Sequence, residues 1–270
     1  MNNDDQIIKY PRTPHIQGSR KQSGDEDLEA MPISELIGKY VVIEEKLDGA
    51  NSGASFDGNA TMLLQSRGHF LTGSPREKHF NLFRTWAACH QDKFFDILED
   101  KYIMYGEFLY CKHSAFFDRL DHYFFEFDIY DKSKKMFLST QARRTLLKKS
   151  PIISVPVLWE GIWTKDMRMQ DFVQRSLYKS DLWRNTLRKL AEERNLDPDL
   201  VEQQTDMSDL SEGVYGKIET ENETIGRFKF VRAGFLQTII QSESHWLDRP
   251  IIPNQLADGV DIFSQDYASA

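Results

Sequence analysis

The stretch "VVIEEKLDGANSGASF", Val41–Phe56, sends an apolar β-branched run directly into two acids and a lysine. Its first three residues favour a β-strand, and Asp48-Gly49 is a dipeptide typical of a hairpin turn. We therefore expect a strand from Tyr40 that turns at Asp48-Gly49. Lys46 would then stand at a strand end, a rigid place from which to aim a side chain into a cleft. For "KLDG" taken alone, the alternative is an exposed lysine beside an ordinary turn.

A nucleophilic role for Lys46 would require other charged residues close to it in the folded chain. A lysine amine attacks only when it is neutral, so its usual pKa of about 10.4 must be lowered by burial or by nearby positive charge. Polyphosphate substrates need cations for the phosphates and carboxylates for a hydrated divalent metal, for which Glu107 and Glu212 are candidates. The candidate cations are Arg67, Lys217, Arg227 and Lys229.

The composition narrows the class of protein. The chain has 270 residues, 40% hydrophobic and 12% aromatic, which is enough to bury a core. It contains no apolar run of the ~18 residues that a membrane helix needs and no signal-peptide pattern at its start. Cys89 and Cys111 match no metal spacing and are expected to be free thiols in a reducing cytoplasm.

The charge distribution leaves two interpretations of one segment open. The net charge of −8 argues against a protein that coats nucleic acid non-specifically. Residues 132–149, "KSKKMFLSTQARRTLLKK", nevertheless carry seven basic residues and no acid. This segment is either a solvated helix face or a patch that contacts phosphates.

The order of predicted elements indicates an α+β fold. Ser74, Pro75 and Glu77 form the signature of a capped helix start ahead of a helical apolar pattern. A second helix is predicted at "TQARRTLLKK", and a broken helical region from Lys165 to about Gln204. Helices and strands do not alternate regularly, which excludes a doubly wound parallel sheet. The predicted strands are "ATMLLQSRG", "YIMYGEFLY", "HYFFEFDIYD", "EGVYGKIE" and "IGRFKFVRAGF", with "PIISVPVLW" extended.

Six short motifs occur in a specific order along the chain. They are "EEKLDGAN", "SRG", "YGE", "FEFDIY", "EGVYGK" and "RFKF". Together they resemble the motifs of the covalent nucleotidyltransferase superfamily, which contains DNA ligases, RNA ligases and mRNA capping enzymes. A single KxDG is weak evidence, whereas six elements in order are specific.

The resemblance implies a role for each matching residue. Lys46 would attack the α-phosphate of a nucleotide and carry AMP, and the backbone near Glu45 would contact the adenine edge. Arg67 would lie near phosphate or the RNA 5′ end. The last motif here is Arg227-Phe228-Lys229, whereas many members have Lys-x-Lys, so Lys229 is the safer phosphate ligand of the two. The remaining implied roles are ribose or metal binding for Glu107, stacking on the purine for Phe127, orientation of metal-bound water for Glu212, and phosphate contact with lowering of the pKa of Lys46 for Lys217 and Lys229.

The sixth residue of the lysine motif favours one branch of the superfamily. The chain reads Lys46-Leu-Asp-Gly-Ala-Asn51, which resembles the KxDGxN of template-directed RNA ligases more than the KxDGxR of many DNA ligases and capping enzymes. Asn51 would then contact the terminal ribose hydroxyls. Only 41 residues follow Lys229, too few for a C-terminal OB-fold, and the first 40 cannot hold the extra domain of NAD-dependent ligases, so ATP is the expected donor.

These observations predict an α+β nucleotidyltransferase (ATP-grasp-like) domain, with antiparallel sheets around a nucleotide cleft. We expect an N-terminal arm at 1–38 on the surface, a catalytic domain at 39–235 and a packed C-terminal extension at 236–270. The resemblance implies an ATP-dependent, cytoplasmic RNA ligase that uses Mg²⁺ or Mn²⁺ and acts in RNA repair. Its substrates would be RNA ends or a nicked duplex with an RNA 3′-hydroxyl, and an end-healing kinase or phosphatase is a candidate partner. The alternatives are a DNA ligase or capping-type core that works with a partner, and a non-catalytic nucleic-acid-binding protein on the same fold.

Overall fold

The β-rich segments of the sequence join into one large sheet. A computed structural model describes residues 6–21, 25, 27–241, 247 and 249–264. The sheet has ten strands in the order β3-β2-β4-β5-β6-β10-β9-β1-β8, with β7 beside β5. All neighbours are antiparallel except β5 and β7. The strands are β1 Tyr40–Lys46, β2 Ala50–Phe56, β3 Met62–Ser66, β4 Tyr102–Phe108, β5 Phe124–Asp131, β6 Met136–Leu138, β7 Ile153–Ser154, β8 Val157–Ile162, β9 Gly213–Glu219 and β10 Glu223–Val231.

The predicted hairpin at Asp48-Gly49 is wrong. β1 pairs with β8 and β9, whereas β2 pairs with β3 and β4, so the two strands lie in distant parts of the sheet. The Asp48 carboxylate accepts hydrogen bonds from the backbone amides of Ser114 and Ala115, each at 2.7 Å, instead of closing a turn. At Gly49 an added methyl group would lie 2.7 Å from the carbonyl oxygen of Phe108, so the chain can pass here only without a side chain.

The helices cover parts of the sheet and agree in part with the sequence pattern. The backbone amide of Ser74 donates to the Glu77 carboxylate at 3.3 Å, so the predicted capped start is present. The helix behind it is broken at His90, whose φ of −114° is not helical. Residues 173–182 are irregular, so the region from Lys165 is less helical than predicted. The helices are α1 Asn81–Cys89, α2 Gln91–Leu98, α3 Thr140–Leu146, α4 Trp183–Glu193, α5 Pro198–Gln203 and α6 Ala233–Gln241, with 3-10 turns at Ile33–Leu36, Pro75–Phe80 and Met169–Phe172.

Two aromatic-rich cores pack against the sheet. One lies between α1, α2 and strands β2, β4 and β5, and includes Phe83, Trp86 and Phe124. The other lies around β1, β9 and β10 and includes Trp163 and Phe228. None of the helices in the described ranges is long and apolar enough to cross a membrane.

The N-terminal segment is not the surface arm that the sequence suggested. The amide of Ile16 donates to the carbonyl of Lys229, and the amide of Lys229 donates to the carbonyl of Pro14, both at 2.9 Å. β6 pairs with β10 only at Glu223 and Thr224, which leaves the rest of that edge of β10 for the N-terminal segment. Tyr10, which is 9% exposed, and the fully buried Ile16 therefore belong to the folded domain. Residues 1–5, 22–24 and 26 of the predicted arm lie outside the described residues.

The described part of the C-terminal segment contacts the rest of the domain through Asn254. The buried side chain of Asn254 accepts a hydrogen bond from the amide of Phe117 at 2.9 Å and donates to the carbonyl of Leu109 at 2.6 Å. Residues 242–246, 248 and 265–270 of this extension lie outside the described residues.

At Arg143 the basic segment 132–149 forms neither a solvated helix face nor a patch that contacts phosphates. Arg143 in α3 is 2% exposed and pairs with Glu44 and Glu126, each at 2.8 Å. A guanidinium buried between two carboxylates is occupied by those partners and is not available to nucleic acid.

Candidate functional site

A cleft of about 630 Å³ opens where the chain leaves β1. The connection Lys46–Gly49 runs along it, and both distant parts of the sheet contribute walls. Of the predicted site residues, the structure brings Glu45, Lys46, Asn51, Arg67, Glu107, Phe127, Glu212 and Lys229 to this cleft. Lys217 and Arg227 do not line it.

The amine of Lys46 is held by a carboxylate at the start of β9. Its Nζ donates to Oε2 of Glu212 at 2.7 Å, and Glu212 is 3% exposed. Burial favours the neutral amine of Lys46, but the charges of Glu212, Glu107 and Asp48 outweigh it and raise the pKa of Lys46. The expectation that cations lower the pKa of this lysine is therefore wrong for the protein's own groups, because the neighbouring carboxylates act on it more strongly.

Glu107 connects the strand β4 to the lysine loop. Its carboxylate accepts a hydrogen bond from the amide of Gly49 at 3.0 Å, which fixes the turn after Lys46. Burial raises the pKa of Glu107 to about 8, and the charges of Glu212 and Asp48 add to this effect while Lys46 opposes it. The cleft thus concentrates more carboxylate charge than Lys46 alone can compensate.

Two aromatic rings face each other across one end of the cleft. The ring centroids of Phe127 and Tyr215 are 6.5 Å apart, with an angle of 29° between the planes. A planar base between two rings needs a separation of about 7 Å, since each contact spans about 3.5 Å, so at 6.5 Å a base stacks on one ring or moves them apart slightly. Tyr215 was missed from the sequence, although it belongs to the motif "EGVYGK" and lies on β9.

Tyr10 and Thr13 of the N-terminal segment complete that end of the cleft. The hydroxyl of Tyr215 hydrogen-bonds to Tyr10 and to Thr13, each at 2.7 Å, and the Tyr10 ring meets Phe127 edge-on at 5.0 Å. Nothing in "YPRT" signals this role locally, because it depends on pairing between the segment and β10.

Lys229 lies on β10 and reaches the cleft beside the N-terminal segment. Its Nζ forms an ion pair with Asp25, and Asp25 also contacts the buried ring of His15 at 3.2 Å. Burial lowers the pKa of Lys229, with a further contribution from the charge of Lys46, while Asp25 opposes it. Lys46 and Lys229 both line the cleft, so each presents a positive charge to a ligand there.

Lys217 and Arg227 lie behind the cleft wall. The Nζ of the fully buried Lys217 contacts the Glu44 carboxylate at 2.8 Å and donates to the carbonyl of Phe127. The Nε of Arg227 donates to Asp128 at 2.8 Å, and its guanidinium lies 3.7 Å from the centre of the Phe137 ring. Both cations therefore hold β5 against β9 and β10 rather than reaching a ligand in the cleft.

The backbone amide of Glu45 is already occupied. It donates to the carbonyl of Pro156 at 3.0 Å, and the Glu45 carboxylate accepts from the amide of Leu177 at 3.2 Å. The amide is therefore not available to adenine. Burial raises the pKa of this carboxyl group.

Arg67 and Asn51 line the cleft and have polar atoms that form no hydrogen bond with the described residues. Arg67 is exposed at the end of β3 and makes no hydrogen bond or ion pair with the described residues. Asn51 lies on β2 opposite Glu107, and its buried Oδ1 has no hydrogen-bond partner within the described part of the chain. Asn51 belongs to the strand β2, and its side-chain oxygen is therefore available to a ligand in the cleft.

The sequence of this chain matches the model of a known protein family. The RNA ligase family model matches residues 39–231. The chain belongs to the RNA ligase family. No curated protein matches the sequence of this chain significantly.

Solved structures agree with this family member at the level of the fold. It superposes on an apo mutant of the Naegleria gruberi RNA ligase with a TM-score of 0.50 and 16% identity, over 76% of this chain and 52% of that chain. A second apo mutant of that protein gives 0.49 at 16% identity, with 76% and 53% coverage. A mutant solved with ATP and Mn gives 0.47 at 15% identity, with 77% and 54% coverage. The chain spans about half the length of these structures, and the shared fold is mixed α/β with a large antiparallel sheet.

The donor groups of this RNA ligase family member fit a nucleotide and a divalent cation. The paired rings of Phe127 and Tyr215 suit a base, and Lys229 suits a phosphate. Among the described residues, no group of three or more His, Cys, Asp or Glu side chains forms a metal site by itself. Mg²⁺ commonly binds through one or two carboxylates plus substrate phosphates, so Glu107 and Glu212, which both line the cleft, are the residues that would hold it beside a nucleotide.

Proposed function

We propose that this protein is an ATP-dependent RNA ligase of the nucleotidyltransferase fold that carries AMP covalently on Lys46. The observation that supports this best is the position of the Lys46 amine, bonded to Glu212 at 2.7 Å inside a cleft with paired aromatic rings and a second lysine. A nucleophile, a proton acceptor and aromatic rings on which a base can stack therefore line one cleft.

The reaction proceeds as three displacements at phosphorus. In the first, the Lys46 Nζ attacks the α-phosphorus of ATP, the bond to the β-phosphate breaks, and pyrophosphate leaves. Glu212 takes the proton that Lys46 must lose, since its carboxylate already accepts the Nζ–H hydrogen bond. Lys229 stabilises the charge that develops on the phosphate oxygens.

The second and third displacements join RNA ends. A 5′-phosphate oxygen of RNA attacks the same phosphorus and breaks its bond to Lys46. A 3′-hydroxyl then attacks the activated 5′-phosphate, a phosphodiester forms, and AMP leaves. When bound, Mg²⁺ or Mn²⁺ would neutralise phosphate charge, and Glu107 and Glu212 are the residues to hold it.

Behind the cleft, Lys217 and Arg227 act as positioning residues. Lys217 and Arg143 both donate to the backbone carbonyl of Phe127, which fixes the ring that contacts the base. Arg227 secures Asp128, the next residue on β5.

RNA rather than DNA is the proposed substrate because of Asn51. Its buried Oδ1 is an acceptor without a partner, and a ribose 2′-hydroxyl is a donor that deoxyribose lacks. We further propose that the enzyme works in cytoplasmic RNA repair, on nicked duplexes or broken ends. A partner kinase or phosphatase would supply the required 5′-phosphate and 3′-hydroxyl.

Adduct formation with ATP labelled at the α-phosphate tests the proposal. We expect label on the protein that survives denaturation, no label for Lys46→Ala, and normal label for the control Lys189→Ala, an exposed lysine on α4. Undiminished label in Lys46→Ala would refute the assignment. Label from GTP without sealing would indicate a capping-type enzyme, sealing of all-DNA nicks a DNA ligase, and no label in the wild type a binding protein.

A further inference from the structure

A second group of cations lies beside the lysine loop and takes no part in the steps above. The Nζ of Lys112 donates to the carbonyl oxygens of His113 and Gln204 at 3.1 and 3.0 Å. The Nη1 of Arg249 donates to the same two oxygens at 3.3 Å each. Two positive groups therefore share one pair of carbonyls, which places like charges close together.

This positive charge is poorly compensated at Lys112. The side chain is 8% exposed, and its Nζ has only those two carbonyl oxygens as hydrogen-bond partners among the described residues. Burial lowers the pKa of Lys112 to about 7, and the charges of Arg249 and Lys179 lower it further while Asp48 opposes them. An anion at this place would remove the repulsion between the cations.

The cluster continues away from the cleft through a second buried lysine. The Nζ of Lys179 donates to the carbonyl of Ser208 at 2.7 Å, and the Asp206 carboxylate lies 3.8 Å from it. Asp206 is itself paired with Arg232. One carboxylate is thus shared by two cations, so this layer supplies no spare negative charge to Lys112.

The cluster reaches the cleft at a wall next to Asp48. Arg249, His113 and Ser114 all line the cleft together with Lys46 and Asp48. The amide of Ser114 is bound to the Asp48 carboxylate at 2.7 Å, so this wall lies directly beside the connection that carries Lys46. A ligand here would be adjacent to the phosphate that Lys46 attacks.

We propose that Arg249, Lys112 and Ser114 form a phosphate site on this wall, which binds the phosphate that enters or leaves the reaction beside Lys46. The proposal rests on the proposed function. The chemistry is that of a terminal phosphate, which has two sources: the 5′-phosphate of RNA or the outer phosphates of ATP. Arg249 contacts the anion directly, Ser114 donates its hydroxyl, and Lys112 contributes charge from behind.

The test measures phosphate recognition separately from catalysis. The affinity of the full-length protein is compared for one RNA strand with a 5′-phosphate and with a 5′-hydroxyl, and inhibition by inorganic pyrophosphate is measured in the adenylation assay. The variants are Arg249→Gln and Lys112→Met, with Lys112→Arg as the rescue. Arg168→Gln, whose side chain is 75% exposed and pairs with Asp171, is the matched control for loss of one positive charge.

We expect Arg249→Gln to weaken binding of the 5′-phosphorylated strand about tenfold while leaving the 5′-hydroxyl strand unchanged, because one charge-assisted contact is lost. Loss of pyrophosphate inhibition with intact 5′-phosphate preference would assign the site to the outer phosphates of ATP. The proposal is refuted if neither the 5′-phosphate preference nor the pyrophosphate inhibition changes relative to Arg168→Gln, or if Lys112→Met lowers only the melting temperature. The cations would then only hold together the segments that contain Lys112, Gln204 and Arg249. Because strand binding needs no adduct, absence of label on Lys46 would refute the proposed function without deciding this question.

Discussion

The substitution Glu212→Gln tests how the cleft controls the Lys46 amine. Burial alone would lower the pKa of Lys46, and it is raised because Glu212, Glu107 and Asp48 outweigh that effect. Gln keeps the shape and an acceptor oxygen but removes the charge at 2.7 Å. The pKa of Lys46 should therefore fall, and the neutral amine should be present at lower pH.

The magnitude follows from the geometry of the ion pair. Two unit charges 2.7 Å apart interact by about 6 kcal/mol at an effective dielectric constant of about 20. This is an upper limit, since 22% of the Lys46 side chain is exposed to screening water and Gln still accepts a hydrogen bond. Ion pairs of this kind shift a pKa by about 1–3 units, and we expect a decrease in that range.

Single-turnover adenylation at subsaturating ATP measures this shift, because kcat/KM reports the titration of the free enzyme. The wild-type rate should rise with pH as Lys46 loses its proton, and the Glu212→Gln midpoint should lie about 1–3 pH units lower. The absolute rate should also drop, since the proton acceptor is gone, but the midpoint is read independently of it. The control Glu160→Gln removes an exposed carboxylate on β8 that pairs with Arg144 of α3. An unchanged or higher midpoint in Glu212→Gln would refute the electrostatic account.

Substitutions at four other positions address different parts of the protein. Phe127→Ala should raise the ATP requirement more than Phe127→Leu, by about 1–3 kcal/mol, and Tyr215→Ala should do the same; lost thermal stability at unchanged ATP affinity would contradict stacking. Asn51→Ala should still form the Lys46 adduct but seal poorly, by about 1–3 kcal/mol, and its loss should not add to that of a 2′-deoxy end on the 3′-hydroxyl strand; additive losses would exclude it as the ribose contact. Gly213→Ala should strongly lower both the melting temperature and the urea concentration at the unfolding midpoint, because a methyl group there overlaps the carbonyl oxygen of Phe230. A variant as stable as the wild type would contradict this packing.

Some features of the protein follow from residues that are near each other in sequence. The β-branched run before Lys46 determines a strand, and Ser74 with Glu77 determines a helix start, because both signals act over three or four residues. The six motifs also identified the residues of the cleft that lie on or beside strands, including Glu107 on β4 and Lys229 on β10. For these positions, the motif identifies the residue, and the local sequence pattern predicts the strand that carries it.

The tertiary structure decided what depends on which strands become neighbours. Asp48-Gly49 has the composition of a hairpin turn, yet β1 and β2 pair with other strands, and the Asp48 carboxylate binds the amides of the distant residues Ser114 and Ala115. Lys217 has the same type of side chain as Lys229, but it points into the interior and binds Glu44, whereas Lys229 reaches the cleft. Tyr10 enters the site because β6 leaves an edge of β10 uncovered. Charge and polarity are local properties of a sequence, but partners more than a hundred residues away decide whether a lysine faces a ligand or a buried carboxylate.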